Sequence, residues 1–275
     1  MNVPKSVSIL GCGWLGLPLG KQLLGLGYAV KGSTTSLSKF PVLQNAGIKP
    51  FLIHVNADKQ TKANFDEFLQ SDILVIAVPP GRTEEKRQSY LDLFNYLAEI
   101  IPQTAVQKII LISSTSVYGE PNAAVDEDTI AQPSETSGLL LKRMEEKVEA
   151  FNVSSCIVRM AGLIGPQRHP GRFFAGKQHI PNGQAPVNLI HLDDAVQVLI
   201  EIIQKQVSGI VNACAPSHPS RAEFYTLATQ MCGLELPHFT DDLHLWKVVK
   251  CNFLDQSNFP FKHPDLLNAH LLKNI

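Results

Sequence analysis

Gly11-Cys12-Gly13-Trp14-Leu15-Gly16 is the first group of residues whose types and spacing could do chemistry. It follows the apolar run Val7–Leu10 and opens a stretch with helical spacing. Gly11 permits a tight turn, Gly13 lets the backbone approach a pyrophosphate, and Gly16 lets helix and strand pack closely. The amides of a helix's first turn, with the helix dipole behind them, then favour phosphate. Trp14 and Leu15 share the turn and join the three glycines as cofactor-binding candidates. Dinucleotide sites for NAD place an acidic residue about 20 positions further on. Here the first Asp or Glu is Asp58, and the second strand runs instead into Lys31-Gly32-Ser33-Thr34-Thr35-Ser36, with Lys39 behind. Hydroxyls and lysine without a repelling carboxylate suit a 2′-phosphate, so NADP is expected before NAD, held by Ser33, Thr34 and Thr35. A polar turn that touches no ligand is the alternative reading.

Ser113-Ser114-Thr115-Ser116 follows another apolar run, where side chains emerge at the carboxyl edge of a sheet. Ser114 could hydrogen-bond a substrate hydroxyl or carbonyl, and Ser113 could touch cofactor. Val78-Pro79 and Ala161 end two further apolar runs and are cofactor-contact candidates by the same placement. Arg168, His169 and Arg172 could clamp a phosphate or carboxylate, or form a solvated basic loop. His191 could exchange a proton near neutral pH, or pack before the helix opened by Asp193-Asp194. No histidine or cysteine has metal-ligand spacing, and no nucleophile elbow or Walker A loop occurs.

These residues need elements to position them. Apolar runs at Val7–Leu10, Ala29–Gly32, Phe51–Val55, Ile73–Val78, Lys108–Ser113, Cys156–Met160 and Ile210–Ala213 read as strands, several apolar on both faces. Between them Trp14–Leu26, Ala63–Gln70, Glu85–Ile101, Gly138–Phe151 and Asp194–Lys205 read as helices, with Leu91, Phe94, Leu97 and Ile101 on one face. Such alternation predicts an α/β fold, a Rossmann-type doubly wound parallel sheet with a small C-terminal substrate lobe. Residues 1–164 form the expected dinucleotide-binding domain. Residues 165–275 mix the substrate lobe with a return to the main sheet at about 190–214.

Composition narrows the partners. The chain has 275 residues, 44% hydrophobic and 18% charged, with 24 basic against 25 acidic side chains. That near-neutral balance, without a basic run, argues against nucleic acid. The uncharged stretch between Lys5 and Lys21 is rich in glycine, contains Pro18 and is too short to span a bilayer, so no membrane segment is expected. Five widely spaced cysteines without a CxxC pair read as reduced thiols in a cytoplasmic protein.

At this point the chain resembles the short-chain dehydrogenase/reductase superfamily, in its extended, NAD(P)-dependent epimerase/dehydratase branch. The likeness rests on the glycine turn, on Ile112 to Glu120 (ISSTSVYGE) and on Val125-Asp126-Glu127-Asp128 with Pro133. Arg159 with Gly165-Pro166, Asn188 to Asp194 (NLIHLDD) and Asn258 to Pro264 (NFPFKHP) continue it to the C-terminus. More narrowly it resembles an atypical bacterial subgroup through Gly171 to Gly176 (GRFFAG) and Cys214 to Pro219 (CAPSHP). The resemblance implies a catalytic Ser/Thr, a Tyr that exchanges the proton, and a Lys four residues later. Ser114 matches the serine, but none of Tyr28, Tyr90, Tyr96, Tyr118 and Tyr225 has Lys four positions on. Lys142 matches only if Gly138 stands in the tyrosine's place, and a glycine transfers no proton. The turn also departs from the branch's GxxGxxG, since Leu10 takes the first position. Ser114 and Lys142 are the catalytic candidates, Lys142 doubling as a ribose contact. Tyr118, Arg168, His169, Arg172, Asn188 and His191 are the substrate-binding candidates.

Three functions compete. The first is an NADP-linked oxidoreductase or epimerase for a sugar-nucleotide-like or other anionic small molecule, using an acid/base other than the family tyrosine. The second is a non-catalytic NAD(P)-binding sensor or regulator. A third, from the first 40 residues alone, is a β-hydroxyacid dehydrogenase, which the later strands disfavour. The resemblance also implies a homodimer through the helices Glu85–Ile101 and Gly138–Phe151.

Overall fold

A computed structural model describes residues 5–54 and 59–275. The predicted apolar runs all become strands of one seven-stranded parallel sheet. In chain order the sheet and its helices are β1 (Ser6–Leu10), α1 (Gly16–Gly25), β2 (Ala29–Thr34), α2 (Phe40–Asn45), β3 (Lys49–Leu52), α3 (Lys59–Phe68) and β4 (Ile73–Ile76). Then come α4 (Glu84–Ile100), β5 (Lys108–Ser114), β6 (Ala123–Val125), α5 (Thr136–Glu149), β7 (Ser154–Met160) and β8 (Gly162–Ile164). The chain closes with β9 (Leu189–His191), α6 (Leu192–Lys205), β10 (Gly209–Ala213), α7 (Arg221–Met231), β11 (Lys247–Val249), α8 (Asn252–Gln256) and α9 (Ala269–Lys273). The sheet order is β10-β7-β5-β4-β1-β2-β3, so the winding direction reverses between β1 and β4. Ligands of open α/β sheets bind outside the carboxyl ends of strands at such a reversal.

Parallel strands covered on both faces must be apolar on both, and β4 is: Ile73, Leu74, Val75 and Ile76 are all buried. The third strand begins two residues earlier than the apolar run suggests and ends at Leu52, while Val55 lies outside the described residues. Phe94, Leu97 and Ile101 of the expected α4 stripe are buried, while Leu91 is only partly buried and Tyr90 and Leu93 complete the apolar face.

The chain divides into two compact units. The first takes residues up to Ser113, Leu139–Val158 and Leu199–Ile210. Its core joins Leu74 and Ile76 of β4, Ile109 and Leu111 of β5, Phe94 and Leu97 of α4, and Met144 and Val148 of α5. The Lys147 ammonium of α5 donates to the Asn95 side chain of α4 at 2.8 Å.

The second unit takes Ser114–Gly138, Arg159–Val198 and Val211–Ile275. Its two small sheets pair β8 with β9 and β6 with β11. A separate core gathers Ile164, Leu189, Phe224, Ala228, Leu266 and Leu272. The helix α7, absent from the sequence reading, starts at a capping box in which Ser220 and Glu223 satisfy each other's backbone amides. Buried or half-buried carboxylates staple the loops here. Glu127 accepts from the amides of Asn212, Asn252 and Phe253, and Asp194 from those of Lys262 and His263. No helix among the described residues is long and apolar enough to cross a membrane.

Candidate functional site

The glycine turn lies between β1 and α1, on the β1 side of the winding reversal, and each glycine has its own reason. Gly11 has φ of +96°, and a Cβ there would meet Val78 Cγ1 at 2.9 Å and the Ala77 carbonyl at 3.0 Å. A Cβ on Gly16 would meet the Gly11 carbonyl oxygen at 2.7 Å and Ile9 Cγ2 at 2.9 Å, so helix and strand touch only because it is absent. A Cβ on Gly13 would meet nothing within 4 Å. The first two glycines answer to the fold; the third borders open space, as a backbone that must admit a pyrophosphate does. The N-cap Leu15 makes no side-chain cap, and the first turn of α1 carries no acidic residue, leaving its dipole unopposed for an anion.

Ser33 at the end of β2 is buried, and its hydroxyl accepts the Gly11 amide at 2.8 Å while its carbonyl accepts the Cys12 amide at 2.9 Å. Thr34 is also buried, its hydroxyl accepting the Ser36 amide at 3.2 Å. Thr35 instead lines a cavity of about 390 Å³ together with Val78, Pro79 and Pro80 beyond β4. His54 beyond β3 and Gly81, Lys86, Ser89 and Tyr90 around the start of α4 complete the wall. Among the described residues no carboxylate lines this cavity. The residues present therefore fit a dinucleotide: Gly11 to Gly16 for the pyrophosphate, Thr35, Val78 and Pro79 for the nucleoside end.

Lys31 corrects one expectation. Its ammonium donates to the Glu67 and Gln70 carbonyls at 2.6 and 2.7 Å, capping the end of α3 rather than waiting for a 2′-phosphate. Unpaired carbonyls at a helix C-terminus attract a cation. Burial lowers the Lys31 pKa.

Two further candidates belong to the first unit. Ser113 is buried and donates its hydroxyl to the buried Glu145 carboxylate. Lys142 keeps a 39% exposed side chain and lies 4.0 Å from Glu146, one helical turn on.

The remaining candidates belong to the second unit. The Ser114 hydroxyl accepts the Ser116 amide at 3.1 Å and caps the turn Thr115–Tyr118. Tyr118 is buried beneath the Arg159 guanidinium, 4.8 Å from its ring centroid, and donates its hydroxyl to Asn212 at 2.8 Å. Burial pushes its phenol up. Ala161 is buried and its amide donates to the Ala213 carbonyl at 2.9 Å. Asn188 clamps β11, donating to the Lys247 carbonyl and accepting the Val249 amide. Arg168 and Arg172 are exposed. His169 between them is bound within the fold: its Nε2–H donates to the Leu272 carbonyl at 2.6 Å and its Nδ1 accepts the Gly171 amide at 3.0 Å. The Cys232 sulfur lies 3.1 and 3.5 Å from the two ring nitrogens, over the ring rather than along a lone pair.

His191 is buried, and its Nδ1 accepts the Asp193 amide at 3.2 Å in the first turn of α6. Burial, aided by the neighbouring His263, pulls its pKa down to about 4 against the opposing pull of Asp193. It therefore stays neutral near pH 7. Its ring meets that of His263 at 4.1 Å, and the Asp193 carboxylate lies 3.4 Å from the His263 Nε2 and holds the Lys262 ammonium at 2.5 Å. Although a metal could be imagined between these three side chains, the lysine already occupies the carboxylate and a backbone amide the Nδ1 lone pair.

The position expected of a family tyrosine is closed. A Cβ on Gly138 would stand 2.8 Å from the Ser116 carbonyl oxygen and 2.8 Å from Pro133 Cβ. Of the cavity walls, His54, Pro80, Gly81, Lys86, Ser89 and Tyr90 were not legible as site residues in the sequence. The Pro79-Pro80-Gly81 break after an apolar run was the available signal, and Tyr90 reads there as part of an apolar helix face.

Known proteins share this architecture. The chain is 35% identical over 269 residues to Protein YeeZ of Escherichia coli strain K12, covering 96% of this chain and 98% of that one. A Methylobacillus flagellatus protein provisionally described as an NAD-dependent epimerase/dehydratase superposes with a TM-score of 0.83 at 24% identity, over 98% of each chain. The UDP-glucuronic acid 4-epimerase of Bacillus cereus, solved in complex with NAD, superposes with a TM-score of 0.78 at 17% identity, over 98% of this chain and 94% of that one. The family model of the NAD dependent epimerase/dehydratase family matches residues 7–214. With the glycine turn, the reversal between β1 and β4 and this match in agreement, the chain belongs to the NAD dependent epimerase/dehydratase family.

Proposed function

We propose that the protein binds NADP(H) and acts in the cytoplasm on a sugar-nucleotide-like or other anionic small molecule. The observation that carries the cofactor half is the open space beside Gly13, framed by two glycines the fold cannot replace. The choice of the phosphorylated dinucleotide rests on the end of β2, where the residue lining the cavity is Thr35 and, among the described residues, no carboxylate lines it. When bound, a nicotinamide dinucleotide supplies hydride donation and acceptance. The chain's own residues supply the anion-favouring helix start at Leu15, the cavity behind Thr35 and the hydroxyl of Ser114 as a substrate hydrogen-bond partner. Ser113, Lys142 and Ala161 are further cofactor contacts in this reading, and Arg168 and Arg172 supply positive charge for an anionic substrate. Support for the substrate class comes from the Bacillus cereus protein, whose name is that of a UDP-sugar epimerase.

One observation favours a second reading, a non-catalytic NAD(P)-binding sensor. Gly138 cannot carry any side chain without displacing the Ser116 carbonyl, and Lys142 pairs with Glu146. The tyrosine is thereby designed out rather than merely substituted, in keeping with an atypical subgroup. Self-association through α4 and α5 is part of either reading, with Leu139 of α5 55% exposed.

Calorimetric titration with NADPH and NADH tests the cofactor, and hydride exchange from NADPH across a panel of anionic carbonyl compounds tests catalysis. Preference for NADPH with turnover that Ser114→Ala abolishes is the expected result. Binding without any exchange selects the sensor, and binding of neither dinucleotide ends both readings.

A further inference from the structure

A reaction on this chain needs a proton-transfer group other than the family tyrosine, and the second unit holds an imidazole suited to it. His169 has both ring nitrogens bonded within the fold, and the Nε2 of His191 is closed off from solvent. His218 differs from both. It is half-buried, and its Nδ1 lies 3.1 Å from the Val187 carbonyl oxygen. A carbonyl only accepts, so Nδ1 carries the hydrogen and Nε2 keeps the lone pair. That nitrogen takes no hydrogen-bond partner among the described residues, and unlike the Nε2 of His191 it is not closed off.

The loop that carries His218 is held at both ends. The Ala215 amide donates to the Leu189 carbonyl at 2.8 Å, and the Val187 amide to the Pro219 carbonyl at 2.9 Å. Pro216 and Pro219 fix their own φ, which leaves little freedom between these bonds. The loop leaves the carboxyl end of β10, the end at which open α/β sheets take their ligands. Burial lowers the pKa of His218, aided by the charge of Lys250 and opposed by the bond to the Val187 carbonyl. The ring is therefore neutral near pH 7, its lone pair carried on a side chain already fixed in orientation.

We propose that His218 exchanges the proton of the reaction, its Nε2 meeting a hydroxyl of the anionic substrate. This rests on the catalytic reading of the protein and deepens it by naming the acid/base. In oxidation the hydroxyl proton moves to Nε2, and the imidazole becomes imidazolium. The carbon-bound hydrogen leaves with its electron pair to the oxidised nicotinamide dinucleotide, and the C–O bond becomes a carbonyl. Reduction runs the same transfers backwards, the proton passing from Nε2 to the oxygen. The Val187 carbonyl, bonded to Nδ1–H in both states, steadies the cation while it lasts.

The test is His218→Asn, whose amide can still donate to the Val187 carbonyl while Nε2 is gone. Ligand-free parent is treated with diethyl pyrocarbonate at about pH 7 and mapped by mass spectrometry; His218 should be labelled and His191 should not. Hydride exchange is then measured with NADPH and UDP-4-ketohexoses or short 2-oxo acids, and with NADP+ and the matching alcohols. Expected is about a hundred- to ten-thousandfold loss of kcat in the variant, with NADPH affinity and melting temperature unchanged. In the parent, oxidation should slow as pH falls through the pKa of His218, and reduction should slow as pH rises through it. The variant should lose both limbs. Turnover retained by His218→Asn, or a parent whose His218 stays unlabelled, overturns the role and leaves the cofactor reading standing. Loss of activity with a lower melting temperature and weaker NADPH binding assigns the residue to structure and overturns the role as well. Absence of any hydride exchange by the parent overturns this role and the catalytic reading together, in favour of the sensor.

Discussion

The Gly11 amide donates to the Ser33 hydroxyl at 2.8 Å, joining the first residue of the glycine turn to the end of the neighbouring strand. The same serine's carbonyl holds the Cys12 amide. One buried residue thus fixes two successive amides of the loop, and its hydroxyl shapes the cofactor turn rather than reaching outward. Ser33→Ala leaves the half-buried Gly11 N–H without its acceptor, which costs about 1 kcal/mol, toward the low end for a lost partner. Chemical denaturation should show that loss, and NADPH affinity should fall with it because the turn is no longer held in shape.

Gly13 and Gly16 separate ligand from fold. A Cβ at Gly16 lands 2.7 Å from a backbone oxygen, whereas one at Gly13 meets open space. Gly16→Ala should destabilise by about 1–3 kcal/mol, as overpacking does. Gly13→Ala should stay within about 0.5 kcal/mol of the parent in stability. NADPH binding to Gly13→Ala should fall at least about tenfold, equivalent to about 1.4 kcal/mol. Equal affinities for parent and Gly13→Ala would place the pyrophosphate elsewhere.

At Gly138 the obstacle is the Ser116 carbonyl, 2.8 Å from the missing Cβ. Gly138→Ala is expected to lower stability by about 1–3 kcal/mol despite improving helix propensity by about 1 kcal/mol. Gly138→Tyr is expected to gain no hydride-transfer activity. A stabilised alanine variant in urea unfolding would show that the position is open after all.

His191 sets a pH dependence whose sign follows from its lowered pKa. The unfolded chain takes up a proton near the ordinary histidine pKa of 6.5, while the folded chain resists protonation down to about 4. Between those values the unfolded state binds more protons, so this stabilisation is complete above pH 6.5 and drains away toward pH 4. His191→Asn keeps an acceptor near the Asp193 amide without titrating. Its melting temperature should fall less steeply than the parent's over that window.

Four of the five cysteines are buried, and burial raises the thiols of Cys12, Cys156 and Cys214 to about 12 and that of Cys251 further still. Cys232 is the half-buried exception. An aromatic disulfide reagent should therefore titrate one thiol rapidly in the native protein and all five after unfolding. Rapid labelling that persists in Cys232→Ser would contradict this.

Periodicity and composition determined the scaffold. Strands apolar on both faces, alternating with helices, admit few arrangements other than a covered parallel sheet, and the glycines after the first strand place a tight turn and a helix start at its edge. That information is local, carried by residues adjacent in sequence. The capping box of α7 was equally local, in Ser220 and Glu223, but stood in a stretch whose helical face is short. Other facts are decided by residues far apart in the chain. Lys31 turns to the end of α3, Asn188 to β11 and His169 to Leu272, because each meets there backbone groups that would otherwise lack partners. Tyr90 looks in sequence like one more apolar contact on α4. Only the folded chain shows that its hydroxyl is buried without a partner among the described residues. A sequence names the groups that can bond; which partner each of them takes is settled only when its neighbours have been placed.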